Sequence, residues 1–215
     1  MHTYQEMCIV RHMASQTRRR NRLESSAGGK TILRPRDFAR LAIHPQQVSR
    51  LVDRGELVRV GRGRYVLPGA EHSENLGLAL VAAAVPRSTI CLLSALRFHN
   101  IGTQAPHEVW MAVKRGAARP RLGYPPIRVA IFSGVAFTFG VERHLIDGVP
   151  VRIYSAAKTV ADCFKYRNKI GLDVAIEALR EGLRAKRFTR DAFWTAAKVC
   201  RVTAVVRPYL EALSS

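Results

Sequence analysis

The chain has 215 residues, 47% of them apolar, and four cysteines, which suits a globular fold with a substantial core and excludes a small disulfide-built scaffold. Its 35 basic and 16 acidic residues give a formal charge of +19, which points to a polyanionic partner but says nothing about fold. The longest apolar run, Leu76 to Val85, is too short to span a bilayer, and the first 25 residues lack a signal-peptide core, so a reducing cytoplasm is the expected compartment.

Residues 1–15 read as a disordered tail, with Met1, Met7 and Met13 as alternative starts. Residues 16–70 are expected to form a winged helix-turn-helix domain. Residues 1–70 carry 14 Lys and Arg against 5 Asp and Glu, a charge density nearly twice that of the remainder. Gln16 to Ala27 fits a first helix, and its arginines, Arg18 and Arg19 among them, read either as a phosphate clamp or as a basic arm. Gly28-Gly29 breaks it before a short strand, Thr31 to Leu33. Pro35 permits a helix that its own presence denies to Arg34, and Asp37 suits the first turn. Phe38 and Leu41 share its inner face. Ala42-Ile43-His44 is a turn, and Pro45 starts a second helix. There Val48, Leu51 and Val52 point inward. Gln46, Ser49, Arg50 and Asp53 point outward, flanked by Gln47 and Arg54. Gly55 ends the helix. Leu57 to Val60 and Arg64 to Leu67 form two strands joined by Gly61-Arg62-Gly63.

A helix, a short turn, a second helix and a basic hairpin make a winged helix-turn-helix whose second helix would enter the major groove by its N-terminal residues. Gln can pair with adenine and Arg with guanine. Arg62 and Arg64 beside glycines would let the wing approach phosphate or the minor groove. The expected DNA-binding set is Arg18, Arg19, Arg36, Gln46, Gln47, Ser49, Arg50, Arg54, Arg62 and Arg64. The alternative is a protein-interaction module whose winged helix docks a partner protein.

The polar stretch Pro68 to Asn75 separates this unit from residues 74–215, which read as a mixed α/β domain with a small sheet and a helical C-terminal end, α+β overall. Leu76 to Val85 is a buried helix stopped by Pro86, and Ser88 to Asn100 reads as another. Glu108 to Val113 and Ile127 to Phe132 alternate as strands, with Val109, Met111, Val113 and with Ile127, Val129, Ile131 on their apolar sides. Phe137 to Val141 and Val149 to Tyr154 would pair around Asp147-Gly148. Ser155 caps a helix carrying Lys158, Thr159 and Asp162. Leu172 to Lys186, a helix capped by Thr189, and Val202 to Leu213 complete the chain.

No chemistry of an enzyme stands out. The cysteines form no C-x-x-C, the histidines no H-E-x-x-H, and G-x-S-x-G is absent. No cofactor, metal or membrane is expected, and no acidic cluster on the strands supports a nuclease. Lys158 and Asp162, four apart on one helix, read as a local ion pair, as a polar anchor to the sheet or as part of a partner-binding surface, with a structural role favoured.

The segments GRGRYVLP, SALRFHNIGTQAPHEVWMAV and IDGVPVRIYSAAKTVADCF, in that order behind a winged helix, resemble the AbiE-type antitoxins over residues 30–210. The resemblance implies a transcriptional repressor of bacterial phage-defence, type IV toxin–antitoxin systems. It would bind double-stranded DNA at promoter repeats through its winged helix, autoregulating its own promoter. Its C-terminal domain would counter a nucleotidyltransferase toxin without stably binding it. Gln46, Gln47, Ser49, Arg50, Arg62 and Arg64 fall on the implied DNA-facing positions. Lys158, Thr159 and Asp162 match the C-terminal motif, which carries no implied catalytic role.

Overall fold

The computed structural model describes residues 32–67 and 73–213. The expected tail, the helix over Gln16 to Ala27, and Arg18 and Arg19 lie outside the described residues. The chain divides into two compact units, Met1–Ser73 and Glu74–Ser215.

In the N-terminal unit, α1 (Pro35–Arg40) begins where Pro35 sets φ, and the Arg34 backbone N–H donates to Asp37 Oδ2 at 2.9 Å. Ala42 then takes a left-handed φ of 53° and turns the chain. The link runs from Leu41 to His44, one residue longer than expected, before α2 (Pro45–Asp53). Gly55, at φ 72°, releases the chain from α2 in a conformation that favours glycine. β1 (Val58–Gly61) and β2 (Arg64–Val66) pair antiparallel, with Gly61 opposite Arg64, so the hairpin turn is Arg62-Gly63 alone. Leu33 forms a single bridge to Tyr65, exchanging backbone bonds of 2.8 and 3.0 Å. Leu33, Phe38, Val48, Leu51, Leu57 and Leu67 make the core, with Leu41, Ile43, Val52 and Tyr65 packed on it.

The C-terminal unit is built on a five-stranded mixed sheet. Its elements are α3 (Leu76–Ala84), β3 (Thr89–Ile90), α4 (Leu92–Phe98), β4 (Val109–Lys114), β5 (Ile127–Phe132), α5 (Val135–Thr138), β6 (Val141–Ile146), β7 (Val149–Tyr154), α6 (Ala156–Lys165), α7 (Arg167–Ile170), α8 (Leu172–Arg184), α9 (Arg190–Cys200) and α10 (Thr203–Ala212). The strand order is β5-β4-β3-β7-β6. β3 runs antiparallel to β4 and parallel to β7, β4 parallel to β5, and β6 antiparallel to β7. An α+β unit with a helical C-terminal end is thus what the chain forms.

Four local expectations are corrected. Ser88 to Asn100 is not one helix. Thr89 and Ile90 form the central strand, paired with Ala112, Met111 and Ile153, and Cys91 is extended at φ −144° before α4 begins. β4 is buried from Val109 through Val113, not on one side only. Trp110 and Ala112 join the core that includes α6, while α3 packs on β4 and β7, so both faces are covered. On β5 the buried residues are Ala130 and Phe132, whereas Ile131 is 42% exposed. Ile127 and Val129 on the expected apolar side are half-buried, so that side is covered only in part, and Ala130 and Phe132 fill the packed layer at the end of the strand. The strand before Asp147-Gly148 is Val141–Ile146, since Val135–Thr138 coils into α5. The turn itself stands where expected, at φ 48° and 73°.

α6 is the axis of this unit. It is buried from Ala156 to Phe164 and packs on α4, α8 and α9. Ser155 Oγ caps it by accepting from Lys158 N at 3.4 Å, and Thr189 Oγ1 caps α9 by accepting from Ala192 N at 3.1 Å.

Candidate functional site

The outward face of α2 is polar by construction. Val48 and Leu51 are buried and Val52 half-buried, which at 100° per residue leaves Gln46, Gln47, Ser49, Arg50, Asp53 and Arg54 exposed. Arg36 is exposed on α1 and Arg62 at the hairpin turn. Arg64 is half-buried, and burial followed by the neighbouring Arg34 charge lowers its pKa from the ordinary arginine value. Gly61 gives it room: a Cβ there would lie 3.3 Å from an Arg64 guanidinium nitrogen.

Two of these side chains are partly committed elsewhere. Gln47 Oε1 accepts from the His44 backbone N–H at 3.1 Å, and His44 Nδ1 accepts from Gln46 N at 3.4 Å, a reciprocal cap on α2. Arg54 pairs with Glu56 at 3.7 Å. Residues 32–67 hold eight arginines against Asp37, Asp53 and Glu56, and Asp37 is buried. The solvent-facing charge is therefore strongly positive. Arg40 and Arg59 are exposed as well, in the last turn of α1 and on β1, and neither was singled out from the sequence.

The structure places Lys158, Thr159 and Asp162 in the C-terminal unit with no exposed surface at all. Lys158 Nζ donates to Asp162 Oδ2 and lies over the rings of Tyr154 and Phe132, at 4.3 and 4.9 Å from their centroids. Cys200 Sγ donates to Asp162 Oδ1 at 3.2 Å, and Thr159 Oγ1 to the Tyr154 carbonyl at 3.2 Å. Burial pushes the Asp162 carboxyl up, and the Lys158 charge draws it back. This is an interior pair, unlike the exposed i, i+4 contact that the spacing alone suggests.

His99 Nε2–H donates to the same Tyr154 carbonyl at 2.7 Å. Burial lowers the His99 pKa from its ordinary 6.5, opposed by that bond and by Glu142, with His144 and Arg187 adding to the fall. The unfolded chain then binds the proton more readily than the folded one. The stabilisation is present above pH 6.5 and is lost as pH falls through the folded value. Melting temperature measured from about pH 7.5 to about pH 5 should therefore drop more steeply for the native chain than for His99→Gln, which keeps a donor but does not titrate. Parallel curves would contradict a His99 whose pKa is lowered in the folded chain.

Against known proteins, one correspondence stands out. Residues 21–68 match the family described as transcriptional regulator, AbiEi antitoxin. The AbiEi match takes in both described helices of the N-terminal unit, the link between them and the hairpin, and with them every described residue of the set expected to face DNA. The AbiE-type resemblance is thus shown over residues 21–68, to a family described as a transcriptional regulator. The match stops short of Lys158, Thr159 and Asp162. No curated protein matches the chain. Among the described residues no group of three or more His, Cys, Asp or Glu side chains could hold a metal ion, and no helix is long and apolar enough to cross a membrane.

Proposed function

We propose that the N-terminal unit is a winged helix-turn-helix and the chain a sequence-specific, autoregulatory DNA-binding repressor, the antitoxin of a type IV toxin–antitoxin system. The observation that carries this is the coincidence of the AbiEi match with a helix–link–helix–hairpin whose exposed face is polar and arginine-rich. Helix α2 enters the major groove. Gln46, Ser49 and Arg50 meet base edges or phosphates, while Arg62, helped by Arg64 and Arg36, holds the backbone. Gln47 contributes through its amide group, its carbonyl oxygen being occupied by the helix cap. The C-terminal unit counters a nucleotidyltransferase toxin without stable complex formation. Its buried Lys158–Asp162 pair holds α6 to the sheet and has no catalytic part.

The test is a titration of the chain against a duplex from upstream of its own coding sequence and against a scrambled duplex, at several salt concentrations. The upstream duplex should bind more tightly, with a defined footprint and steep salt dependence. Arg50→Ala should weaken it by about 1–3 kcal/mol, chiefly on the upstream duplex. Arg62→Ala should weaken both duplexes alike and reduce the salt slope by about one unit. Equal affinities and slopes for native, Arg50→Ala and Arg62→Ala chains would turn the face over to a protein partner.

A further inference from the structure

The helical end of the C-terminal unit carries an open cavity of about 610 Å³, between the end of α8, the link that follows it and the start of α9. That volume is in the range of small-ligand sites. Among the described residues its lining holds four cations and no acid: Arg180 and Arg184 on α8, Lys186 in the link and Arg190 at the head of α9. Two features of this set work against the stability of the chain alone. Arg180 and Arg184 are four apart on one helix, a spacing at which like charges repel. Lys186 takes a left-handed φ of 52°, where glycine would be favoured. The fold neutralises little of this charge. Arg184 meets Glu181 at 3.8 Å with its side chain 78% exposed, and Arg180 and Lys186 have no carboxylate partner among the described residues. Arg190 is held at the wall by donating to the Leu213 carbonyl at 2.7 Å.

The floor is apolar. Leu183 and Phe188 are half-buried there. The Phe188 ring stacks on Phe193, with centroids 5.8 Å apart, and lies so close to α8 that a Cβ at Gly182 would collide with it. Glycine is unfavourable inside a helix, and here it makes room for the aromatic floor. We propose that this cavity binds a nucleoside triphosphate, with the phosphates among the four cations and the base against Leu183 and Phe188. Three of the cations are arginines, whose planar forks suit phosphate oxygens. An acidic peptide fits less well, because helices and a link line the cavity and no strand edge there offers backbone partners to an extended chain. The site lies within the C-terminal unit and does not depend on the DNA-binding reading of the other unit.

The test is a calorimetric titration of the full chain with ATP and with GTP, beside inorganic tripolyphosphate and hexaglutamate, at one fixed ionic strength. At least one nucleotide should bind, about tenfold more tightly than tripolyphosphate, which lacks the base. Lys186→Gly is the decisive variant. It removes the ammonium and puts at φ 52° the residue that accepts this conformation most readily, so its melting temperature should equal or exceed the native one. Nucleotide affinity should nevertheless fall about tenfold, and likewise in Arg184→Ala. Arg119→Ala removes the same charge from an exposed position outside the lining and should bind as the native chain does. Native affinity in either Lys186→Gly or Arg184→Ala would overturn the proposal. So would an equal loss in Arg119→Ala, which means attraction to net charge alone, or tripolyphosphate as tight as the nucleotides, which means that no base is bound. Hexaglutamate as tight as the nucleotides would hand the cavity to an acidic peptide, and a native chain that binds neither nucleotide would overturn the proposal outright.

Discussion

Replacing Lys158 by Ala is expected to destabilise the C-terminal unit by about 3–5 kcal/mol, because it strands a carboxylate in the interior. Asp162 has no exposed surface, and with Lys158 gone its remaining described partner is the weak thiol donor of Cys200. The rings of Tyr154 and Phe132 lose their cation at the same time. Asp162→Ala should cost a similar amount by stranding the ammonium. The informative partner is the double variant Lys158→Met/Asp162→Leu. Removing both charges avoids their desolvation, so its stability should return to native or exceed it. Trp110 and Trp194, the chain's two tryptophans, both lie in this unit, so a denaturant titration read by tryptophan fluorescence reports on it directly. Native midpoints in both single variants would mean that the pair contributes nothing to stability. A double variant as weak as the singles would mean that shape, not charge, is what the site requires.

Phe38→Ala should do comparable damage to the N-terminal unit, about 3–5 kcal/mol. Phe38 is 2% exposed and meets Tyr65 edge-on, with ring centroids 5.4 Å apart. It ties α1 to the strand that carries the hairpin. Among the described residues its core cluster has six buried members, and a small core holds few kilocalories in reserve. Most of the unit should therefore be unfolded in this variant, and binding to the upstream duplex should disappear. The tryptophan-detected transition of the other unit should remain. Retained DNA binding with a native melting profile would show that Phe38 is not the keystone of this core.

Local rules made much of this fold legible in the sequence. Pro35, Pro45 and Gly55 mark helix ends through backbone torsion alone, and Ser155 and Thr189 mark caps through a single side-chain oxygen. Val48 and Leu51 declare the inner face of α2, and with it the exposed one. What stayed hidden was set by distant partners. Thr89 and Ile90 are strand because Met111, Ala112 and Ile153 offer backbone groups there, and nothing between Ser88 and Asn100 breaks a helix locally. Trp110 and Ala112 are buried because helices cover both faces of the sheet, which no alternation along β4 can announce. The same holds for Lys158 and Asp162. Their spacing is that of an ordinary surface pair, and only the packing of α6 on three other helices takes them out of water.

The two-residue strand β3 has a consequence for the order in which the chain acquires structure during synthesis. It joins the β4–β5 half of the sheet to the β6–β7 half, and its link to β7 is the pair Ile90 and Ile153, 63 positions apart. Until Ile153 has left the ribosome, the sheet exists at best as one half, with the flank of Ile90 open. Leu33 and Tyr65, which close the N-terminal hairpin unit, are only 32 positions apart. Contacts of shorter span form sooner, and domains fold as units from the N-terminus. The helix pair and hairpin can thus be complete on a nascent chain whose second half is still an open-edged fragment. That interval is when the apolar strands β4 and β5 are most in need of protection from other nascent chains.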